Sequence, residues 1–269
     1  MINLTIRHLD LKQTAESGQC FRWKRLNDVD GHMTYSIPSF GPKQREFKAL
    51  TITSLSEDEF ILSCDQREWN TYWYTYFDMD TDYDRVEKKI YDSDDRHIKD
   101  AFALGSGIRI LKQDLWEIII TFLISQNNNI TRITRSVEEI CNRHGGYMPR
   151  PEEFDLSILD DKSIGLGYRV PYIEYAVKRF TSEYELLTEL TQMSYEESYE
   201  TLLSFTGIGP KVANCICLFG LHHIEAFPID THVKQLLTKY YPQGFPYKYY
   251  EGVAGIIQQY LFYYELHNR

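Results

Sequence analysis

The sequence predicts an α+β protein in which an N-terminal antiparallel β-sheet domain precedes an all-helical domain. Three observations lead to this class. Short runs rich in β-branched and aromatic residues occupy the first part of the chain, a tyrosine-rich acidic stretch follows, and apolar residues recur with helical spacing beyond about residue 100. We place residues 1–98 in the sheet domain, which includes a helical connector, and residues 99–269 in the helical domain.

The strands are predicted from four short segments separated by turn-forming residues. The pairs Asn27-Asp28 and Asp30-Gly31 favour tight turns between them. Such runs are typical of an antiparallel sheet with one face in solvent. The four segments are FRWKRL (21–26), MTYSIPSF (33–40), FKALTITSL (47–55) and EFILSC (59–64).

The clearest helix is predicted from Leu115 to Ile124, with Asp114 as its N-cap. It is apolar nearly all round, a pattern typical of a helix buried in the core of a bundle. Capping residues and helical spacing predict further helices from Ile130 to the pair Gly145-Gly146, from Pro171 onwards, from the Ser194–Glu197 capping box to about Phe205, and from Tyr247 to Leu266.

Composition excludes several classes of protein. Hydrophobic residues make up 43% of the 269 residues and aromatic residues 14%, which is too much packing material for a disordered chain. The longest apolar stretch is too short to cross a bilayer, and the N-terminus lacks the hydrophobic region of a signal peptide. We therefore expect an intracellular protein, in the cytoplasm or nucleoid of a prokaryote or the nucleus of a eukaryote, with no membrane partner.

The cysteines indicate reduced thiols, since they are odd in number and widely spread. They are Cys20, Cys64, Cys141, Cys215 and Cys217. The close pair differs by about 200° of helical rotation, so the two thiols could not both bind one zinc ion. No metal and no cofactor are expected.

The formal net charge of −10 argues, taken alone, against a nucleic-acid partner. Most of the excess lies in residues 51–100, where 14 acidic residues stand against 6 basic ones, a net of −8. The distribution of charge therefore neither excludes nor indicates a nucleic-acid-binding surface elsewhere on the chain.

The segment LLSFTGIGPKVANCICLFGLHHIEAFPIDTHV (202–233) holds the candidate chemistry. A helix ends near Phe205, Gly207 and Gly209 make a tight turn, and Pro210 begins the next helix where a missing amide hydrogen is tolerated. Such a hairpin presents free helix N-terminal amides to a phosphate oxygen and reads no base sequence. The same residues are also compatible with a plain sharp connection between two helices.

Lys211 lies in the first turn of the second hairpin helix, where the positive end of the helix dipole disfavours the ammonium form and favours an amine nucleophile. The simpler interpretation is a lysine that contacts phosphate or water. Asp230 follows 19 residues later and can fold back beside the lysine, accept its proton and stabilise a positively charged sugar. It can also cap a helix that begins at Thr231, and the two roles are compatible.

Five segments carry a resemblance to a known family. They are SGQCFRW (17–23), SQNNNITRIT (125–134), GLGYR (165–169), GIGPKVANCICL and FPIDTHV. The hairpin resembles the helix-hairpin-helix DNA glycosylase superfamily, and SGQCFRW together with QNNNITRI resembles its 8-oxoguanine DNA glycosylase/lyases of the eukaryotic type. The resemblance covers nearly the whole chain.

The resemblance implies a base-excision DNA repair enzyme that acts, as a monomer, on double-stranded DNA containing an oxidised guanine. It would flip out and excise 8-oxoguanine, preferentially opposite cytosine, and cleave the strand by β-elimination. Lys211 would form a Schiff base with the deoxyribose C1′, assisted by Asp230. The Gly18 carbonyl would accept the N7 hydrogen of 8-oxoguanine, which guanine lacks. Guanine would be disfavoured, because it would leave this carbonyl unsatisfied in a dry pocket at a cost of about 1–3 kcal/mol.

Further residues are implied by their positions in these motifs. Cys215 and Phe262 would pack on the two faces of the base, and Gln258 would bind its Watson–Crick edge. Without the resemblance, Cys215 and Phe262 are most simply core residues. Seven residues are implied to contact either the cytosine opposite the flipped-out base or the DNA backbone. They are Asn127, Arg132, Tyr168, Arg169, His232, Gly207 and Gly209.

Two other functions stay open from the residues themselves. A monofunctional glycosylase for alkylated bases needs Asp230 but not Lys211. A non-enzymatic hairpin module that binds duplex DNA needs neither the Cys215 thiol nor an aromatic pocket residue. An adenine-mismatch or endonuclease III type of glycosylase is disfavoured because the cysteines of its iron–sulfur cluster are missing.

Overall fold

The computed structural model describes residues 1–40 and 47–268, and its first part is a five-stranded sheet. Neighbouring strands pair antiparallel in the order β1-β5-β4-β3-β2. Together with the helices that follow, the sheet confirms the predicted α+β class. The strands are β1 (Ile2–Thr5), β2 (Lys24–Arg25), β3 (Thr34–Phe40), β4 (Phe47–Ser54) and β5 (Glu59–Leu62).

One face of the sheet is covered by the tyrosine-rich stretch that follows β5. Leu50 and Ile52 on β4 share a hydrophobic cluster with the fully buried Trp73 and Phe77. On the opposite face of β4, Ala49 is exposed but Thr53 is buried, so that face meets solvent over only part of its length. The covering stretch consists of α2 (Gln66–Glu68), a π-helical segment (Trp69–Trp73) and α3 (Tyr74–Tyr76).

The remaining helices include a short one before β2 and a series that begins at residue 83. They are α1 (Leu11–Glu16), α4 (Tyr83–Asp92), α5 (Arg96–Gly105), α6 (Leu115–Ile124), α7 (Ile130–Arg143), α8 (Val170–Ser182), α9 (Leu186–Leu190), α10 (Tyr195–Leu203), α11 (Pro210–Ile216), α12 (Thr231–Tyr240) and α13 (Ala254–His267). A π-helical segment, Cys217–Leu221, extends α11, and 3₁₀ turns lie at Pro151–Glu153, Leu156–Asp160 and Gly167–Arg169.

Helix α6 is the buried helix that the apolar run predicts. Asp114 Oδ1 accepts a hydrogen bond from the Glu117 amide at 3.0 Å, as expected of an N-cap. Every other side chain of α6 is buried. Glu117 Oε2 pairs with Arg22 Nη1 at 2.8 Å and thereby ties α6 to the segment before β2. Burial raises the pKa of the Glu117 carboxyl, and the Arg22 guanidinium opposes that shift.

The last helix begins later than the sequence predicts. Residues 247–253 form turns, and α13 begins at Ala254 rather than at Tyr247. Gly252 has φ +77°, a left-handed conformation that interrupts a right-handed helix. Gly255 then lets α13 approach the preceding loop closely, because a Cβ there would lie 2.5 Å from the Ala226 carbonyl oxygen.

The described residues form two hydrophobic clusters. One lies under the sheet, and the other fills the space between the helices. Val86, Ile90 and Ile98 pack in the helical cluster, although they precede residue 99. The domain boundary between residues 98 and 99 stays a prediction. No helix of the described chain combines the length and the apolar character needed to span a bilayer.

Candidate active site

Helices α10 and α11 form the predicted helix-hairpin-helix. The capping box of Ser194 and Glu197 begins α10, and Gly209 is the N-cap of α11. Between them the Ile208 amide donates to the Phe205 carbonyl at 3.1 Å, and Gly207 has φ +88°. The turn therefore needs glycine at position 207 for its backbone conformation.

Gly207 is also required for packing. A Cβ at this position would lie 2.3 Å from Cγ of Tyr172, a residue of α8. No atom lies within 4 Å of the corresponding Cβ position at Gly209, which has ordinary backbone geometry. The Tyr172 ring thus supports the hairpin turn at Gly207, whereas the backbone at Gly209 is open to approach from outside.

A small cavity brings six of the predicted site residues together. Its volume is about 50 Å³, and it lies between the end of α1, the hairpin helix α11, the loop before α12, and α13. The six predicted residues at its wall are Gly18, Lys211, Cys215, Asp230, Gln258 and Phe262, and the others are Ser17, Phe122, Phe219, Pro228 and Gln259. Segments more than 240 residues apart in the chain therefore share one pocket.

Lys211 places its amine over an aromatic wall of this pocket. The side chain is half-buried, and Nζ lies 4.9 Å from the centroid of the Phe122 ring on α6. Phe219 stacks on Phe122, with centroids 5.6 Å apart and ring planes 15° from parallel. A lysine amine is thus held against apolar rings, where water has limited access.

Cys215 lies one helical turn after Lys211 and is 3% exposed. Burial raises the pKa of its thiol, while the Lys211 ammonium and its hydrogen bond to the sulfur act in the opposite direction. The net shift is upward, so the thiol is protonated at neutral pH. The Lys211 amine, rather than a Cys215 thiolate, is therefore the candidate nucleophile of this pocket.

Asp230 caps α12 and lines the pocket at the same time. Its Oδ1 accepts a hydrogen bond from the Val233 amide at 2.8 Å, which confirms the predicted N-cap. Its carboxylate belongs to the same cavity wall as Lys211. The capping hydrogen bond fixes the carboxylate at the end of α12, so both proposed roles are geometrically compatible.

The turn after α1 places Gly18 in the pocket. Gly18 has φ +76°, and a Cβ there would lie 2.9 Å from Cε1 of Phe262. Gln19 anchors the turn from the other side: its Nε2 donates to Ser17 Oγ and to the Arg109 carbonyl, both at 2.9 Å. Position 18 therefore admits only glycine without rearrangement.

Helix α13 supplies three further pocket residues, and the sequence indicates only two of them. Gln258 is 4% exposed, and its Oε1 finds no hydrogen-bond partner within the described residues. A buried acceptor of this kind is suited to a donor on a bound molecule. Gln259 is 2% exposed and donates Nε2 to the Ser17 carbonyl. Sequence reasoning missed Gln259 because it is not part of the motif that identifies Gln258 and Phe262.

Phe122 and Phe219 are two further pocket residues that sequence reasoning missed. Both lie in apolar segments in which most neighbours are core residues. A uniformly apolar pattern gives no signal to separate a pocket wall from the core behind it.

The loop before α7 brings Asn127 and Tyr168 together on the surface. Asn127 has φ +46°, and its Nδ2 donates to the Tyr168 hydroxyl at 3.1 Å. That hydroxyl donates to the Gln126 carbonyl at 3.1 Å, and 51% of Tyr168 is exposed. Arg132 is exposed in the first turn of α7, whose N-cap is Asn129. The structure thus presents these polar groups to an external partner.

Arg169 is placed differently from its neighbours in the motif. It is 5% exposed, its Nε donates to the Gln126 carbonyl at 2.9 Å, and its Nη2 donates to the Asn127 carbonyl at 3.1 Å. Its guanidinium also lies 4.6 Å from the centroid of the Tyr168 ring. In this structure Arg169 holds the loop that carries Asn127, and its contact with cytosine stays a prediction.

His232 is the second residue of α12 and is half-buried near Asp230. Its contact with a DNA phosphate also stays a prediction, as do the backbone contacts expected at Gly207 and Gly209.

A larger cavity of about 860 Å³ holds none of the predicted site residues. It lies at the N-terminal end of α6, where Tyr72, Trp116 and Tyr184 are among its walls. We place the chemistry at the smaller cavity, because it holds Lys211 and Asp230 together with Gln258, whose Oε1 has no hydrogen-bond partner within the described residues.

One group of side chains in the described residues has the composition of a metal site. His8, Asp84 and Glu87 have ligand atoms within 4.8 Å of one another. Asp84 is hydrogen-bonded to His8 and paired with Arg7 at the surface, so its carboxylate already has protein partners. It lies outside the pocket.

The chain is similar to known proteins over nearly its whole length. Residues 1–119 match the family model of the 8-oxoguanine DNA glycosylase N-terminal domain. The N-glycosylase/DNA lyase of Saccharomyces cerevisiae is 30% identical over 267 residues, which cover 87% of this chain and 68% of the yeast protein.

Two solved structures have the same fold at the same level of identity. The structure of MBOgg1 in complex with a low-affinity DNA ligand gives a TM-score of 0.85 at 30% identity and covers 98% of this chain and 94% of its own. Clostridium acetobutylicum 8-oxoguanine glycosylase/lyase, in complex with double-stranded DNA containing cytosine opposite 8-oxoguanine, gives 0.83 at 30% identity, with 97% and 93% covered.

Proposed function

The chain belongs to the 8-oxoguanine DNA glycosylase/lyase family of the helix-hairpin-helix superfamily, and on this basis we propose that it excises 8-oxoguanine from duplex DNA and cleaves the strand through a Schiff base on Lys211. Its relatives are N-glycosylase/DNA lyases, so it is a bifunctional enzyme. The observation that carries the proposal is the shared pocket of Lys211, Asp230, Cys215 and Gly18.

The reaction begins when the neutral Lys211 amine attacks C1′ of a nucleotide flipped out of the duplex, since C1′ is hidden within the stack. The bond between C1′ and the base breaks, and its electron pair leaves with the base, which takes up a proton. The sugar ring opens to give a protonated Schiff base on Lys211 Nζ. Loss of a C2′ proton then expels the 3′ phosphate by β-elimination, and water releases the lysine.

Asp230 serves two steps of this sequence. Its carboxylate accepts the proton that Lys211 must lose before it attacks. It then stabilises the positive charge that develops on the sugar as the base departs. The hydrogen bond from the Val233 amide holds the carboxylate in place, so little reorganisation is needed when charge appears.

The base is recognised by groups on two sides of the pocket. The Gly18 carbonyl accepts the N7 hydrogen of 8-oxoguanine, and the unpartnered Gln258 Oε1 accepts a hydrogen from the Watson–Crick edge. Cys215 and Phe262 pack on the two faces of the base. Guanine would bring an N7 lone pair against the Gly18 carbonyl, at a cost of about 1–3 kcal/mol for the unsatisfied group.

The opposite strand is contacted by the loop of Asn127 and by Tyr168 and Arg132. An orphaned cytosine offers the O2 and N3 acceptors beside an N4 donor, which suits the amide and guanidinium groups of Asn127 and Arg132. Arg169 supports this loop from beneath. These placements favour excision of 8-oxoguanine opposite cytosine. The amides at Gly209 and the following turn contact the DNA backbone beside His232.

The alternatives are less well supported. A monofunctional alkylated-base glycosylase does not need an amine nucleophile. The Lys211 amine beside Phe122 and Cys215 would then have no catalytic role. A non-enzymatic duplex-binding module has no use for a buried pocket behind its hairpin.

The proposal is tested with a duplex that carries one 8-oxoguanine opposite cytosine and a 5′ label on the damaged strand. We expect the protein to release the nucleobase and to leave a nicked strand with an unsaturated sugar at its 3′ end. No alkaline treatment should be needed for the nick to form. Release of the base with an intact strand would support the monofunctional alternative. Binding without either product would support the non-enzymatic module.

A further inference from the structure

Gln259 joins the two halves of the base pocket. It lies in the second turn of α13, is 2% exposed, and donates Nε2 to the carbonyl oxygen of Ser17. These two residues are 242 positions apart in the chain. The bond therefore connects α13, which carries Gln258 and Phe262, directly to the turn that carries Gly18.

The Ser17 carbonyl belongs to the peptide unit that leads into Gly18. Glycine has a broad choice of φ and ψ, so the orientation of the Gly18 carbonyl depends on how its flanking peptides are held. The Ser17 hydroxyl donates to the Thr14 carbonyl at 2.8 Å, and Gln19 is anchored to the segment before α6. Within the described residues, Gln259 supplies the side-chain hydrogen bond to the Ser17 carbonyl itself.

We propose that Gln259 is a positioning residue for lesion recognition, which fixes the Gly18 carbonyl relative to Gln258 so that one rigid base meets both acceptors. This inference rests on the proposed function. The Gly18 carbonyl and the Gln258 side chain lie on elements that are remote in sequence. A planar base tolerates little change in the distance between them. Gln259 forms a direct bond between those elements and touches neither the sugar nor Lys211 in the proposed reaction.

Two activities of this active site depend on different groups. Excision of 8-oxoguanine needs the Gly18 carbonyl and Gln258, which bind the base, whereas strand cleavage at a preformed abasic site needs Lys211 and Asp230 but no contact with a base. Loss of the Gln259 donor should therefore impair excision more than abasic-site cleavage. A purely structural role would lower both activities together.

The experiment compares wild type with Gln259→Met, an unbranched side chain of similar length without a donor. Single-turnover rates are measured on an 8-oxoguanine duplex and on a duplex with a preformed abasic site. We expect the ratio of the excision rate to the abasic-site rate to fall about tenfold, which corresponds to the loss of one hydrogen bond between the base and the displaced Gly18 carbonyl. Gln192→Met, at an exposed position, is the control for the substitution itself and should keep the wild-type ratio.

The outcomes distinguish the inference from the proposed function. A wild type that does not excise 8-oxoguanine overturns the proposed function and the inference with it. An active wild type whose ratio is unchanged by Gln259→Met overturns the inference alone. The inference is also overturned if Gln259→Met lowers both rates by the same factor, because the residue is then merely structural.

Discussion

The Phe262 ring lies directly against the backbone of Gly18, so close that a Cβ at residue 18 would be 2.9 Å from Phe262 Cε1. Both residues line the cavity of about 50 Å³ that also contains Lys211 and Cys215. The Phe262 ring and the Gly18 backbone therefore form adjacent walls of the proposed base pocket.

Gly18→Ala should impair recognition of 8-oxoguanine. The added methyl group meets the Phe262 ring, and φ +76° is strained for alanine by about 1–2 kcal/mol. Gly31→Ala is the matched control, since Gly31 has φ +82° but nothing lies within 4 Å of its Cβ position. We expect both variants to lose Tm, Gly18→Ala the more because of the Phe262 contact, and at least a tenfold slower excision in Gly18→Ala alone. Equal excision rates in the two variants would contradict the placement of the base beside Gly18.

The two hairpin glycines should behave differently when each is replaced by alanine. Gly207→Ala forces a methyl group into the Tyr172 ring and strains the backbone at φ +88°, so we expect a clear loss of Tm, corresponding to about 1–3 kcal/mol. Gly209→Ala meets no atom within 4 Å and should keep the wild-type Tm. Because the backbone at Gly209 approaches phosphate in the proposed complex, this variant should bind duplex DNA more weakly. Thermal melting and DNA titration measure both effects, and unchanged DNA affinity in Gly209→Ala would place the backbone contact elsewhere.

Asp230→Asn should slow catalysis with little effect on folding. Asparagine is as good an N-cap as aspartate, so the hydrogen bond from the Val233 amide can persist. The substitution removes the charge that stabilises the developing positive sugar, and we expect excision to slow on the order of a hundredfold. Single-turnover excision and thermal melting of the same preparation test both statements. A large drop in Tm with near-normal excision would instead assign Asp230 a capping role only.

Arg132→Ala should reduce the preference for cytosine opposite the lesion. Each charge-assisted hydrogen bond to cytosine contributes about 1.5–3 kcal/mol, which corresponds to a preference of roughly tenfold or more over adenine. We expect the variant to lose more activity opposite cytosine than opposite adenine. The measurement is a set of single-turnover rates on duplexes with each of the four opposite bases. Equal wild-type rates on all four would remove Arg132 and Asn127 from the reading of cytosine.

Local patterns were sufficient to predict much of this fold. The all-apolar run of α6, the capping box of Ser194 and the Gly207–Pro210 hairpin each depend on neighbouring residues, and the structure confirms each of them. The short elements β1 and α1 were missed, because four or six residues are too few to show a period. The start of α13 was placed too early, because apolar tyrosines continue the helical spacing through the turns before Ala254.

The site could be predicted only as far as its motifs extend. Lys211, Cys215 and Asp230 lie in one recognisable segment, and the structure brings them together with Gly18 and Phe262. The long-range bond from Gln259 to Ser17 has no local signature, since it depends on how two distant elements pack. Burial of Arg169 is equally invisible in sequence, where an arginine beside an exposed tyrosine suggests a second exposed side chain.

The measurement that tests the central claim most directly is reductive trapping on an 8-oxoguanine duplex with borohydride, followed by proteolysis and mass spectrometry of the cross-linked peptide. Borohydride reduces a Schiff base to a stable amine, so the attachment site identifies the nucleophile. We expect the sugar on Lys211 Nζ, no cross-link in Lys211→Gln, and normal cross-linking in the control Lys178→Gln, whose exposed side chain pairs with Glu174. A cross-link on any other amine, or one that persists in Lys211→Gln, would contradict the assignment of Lys211 as the nucleophile.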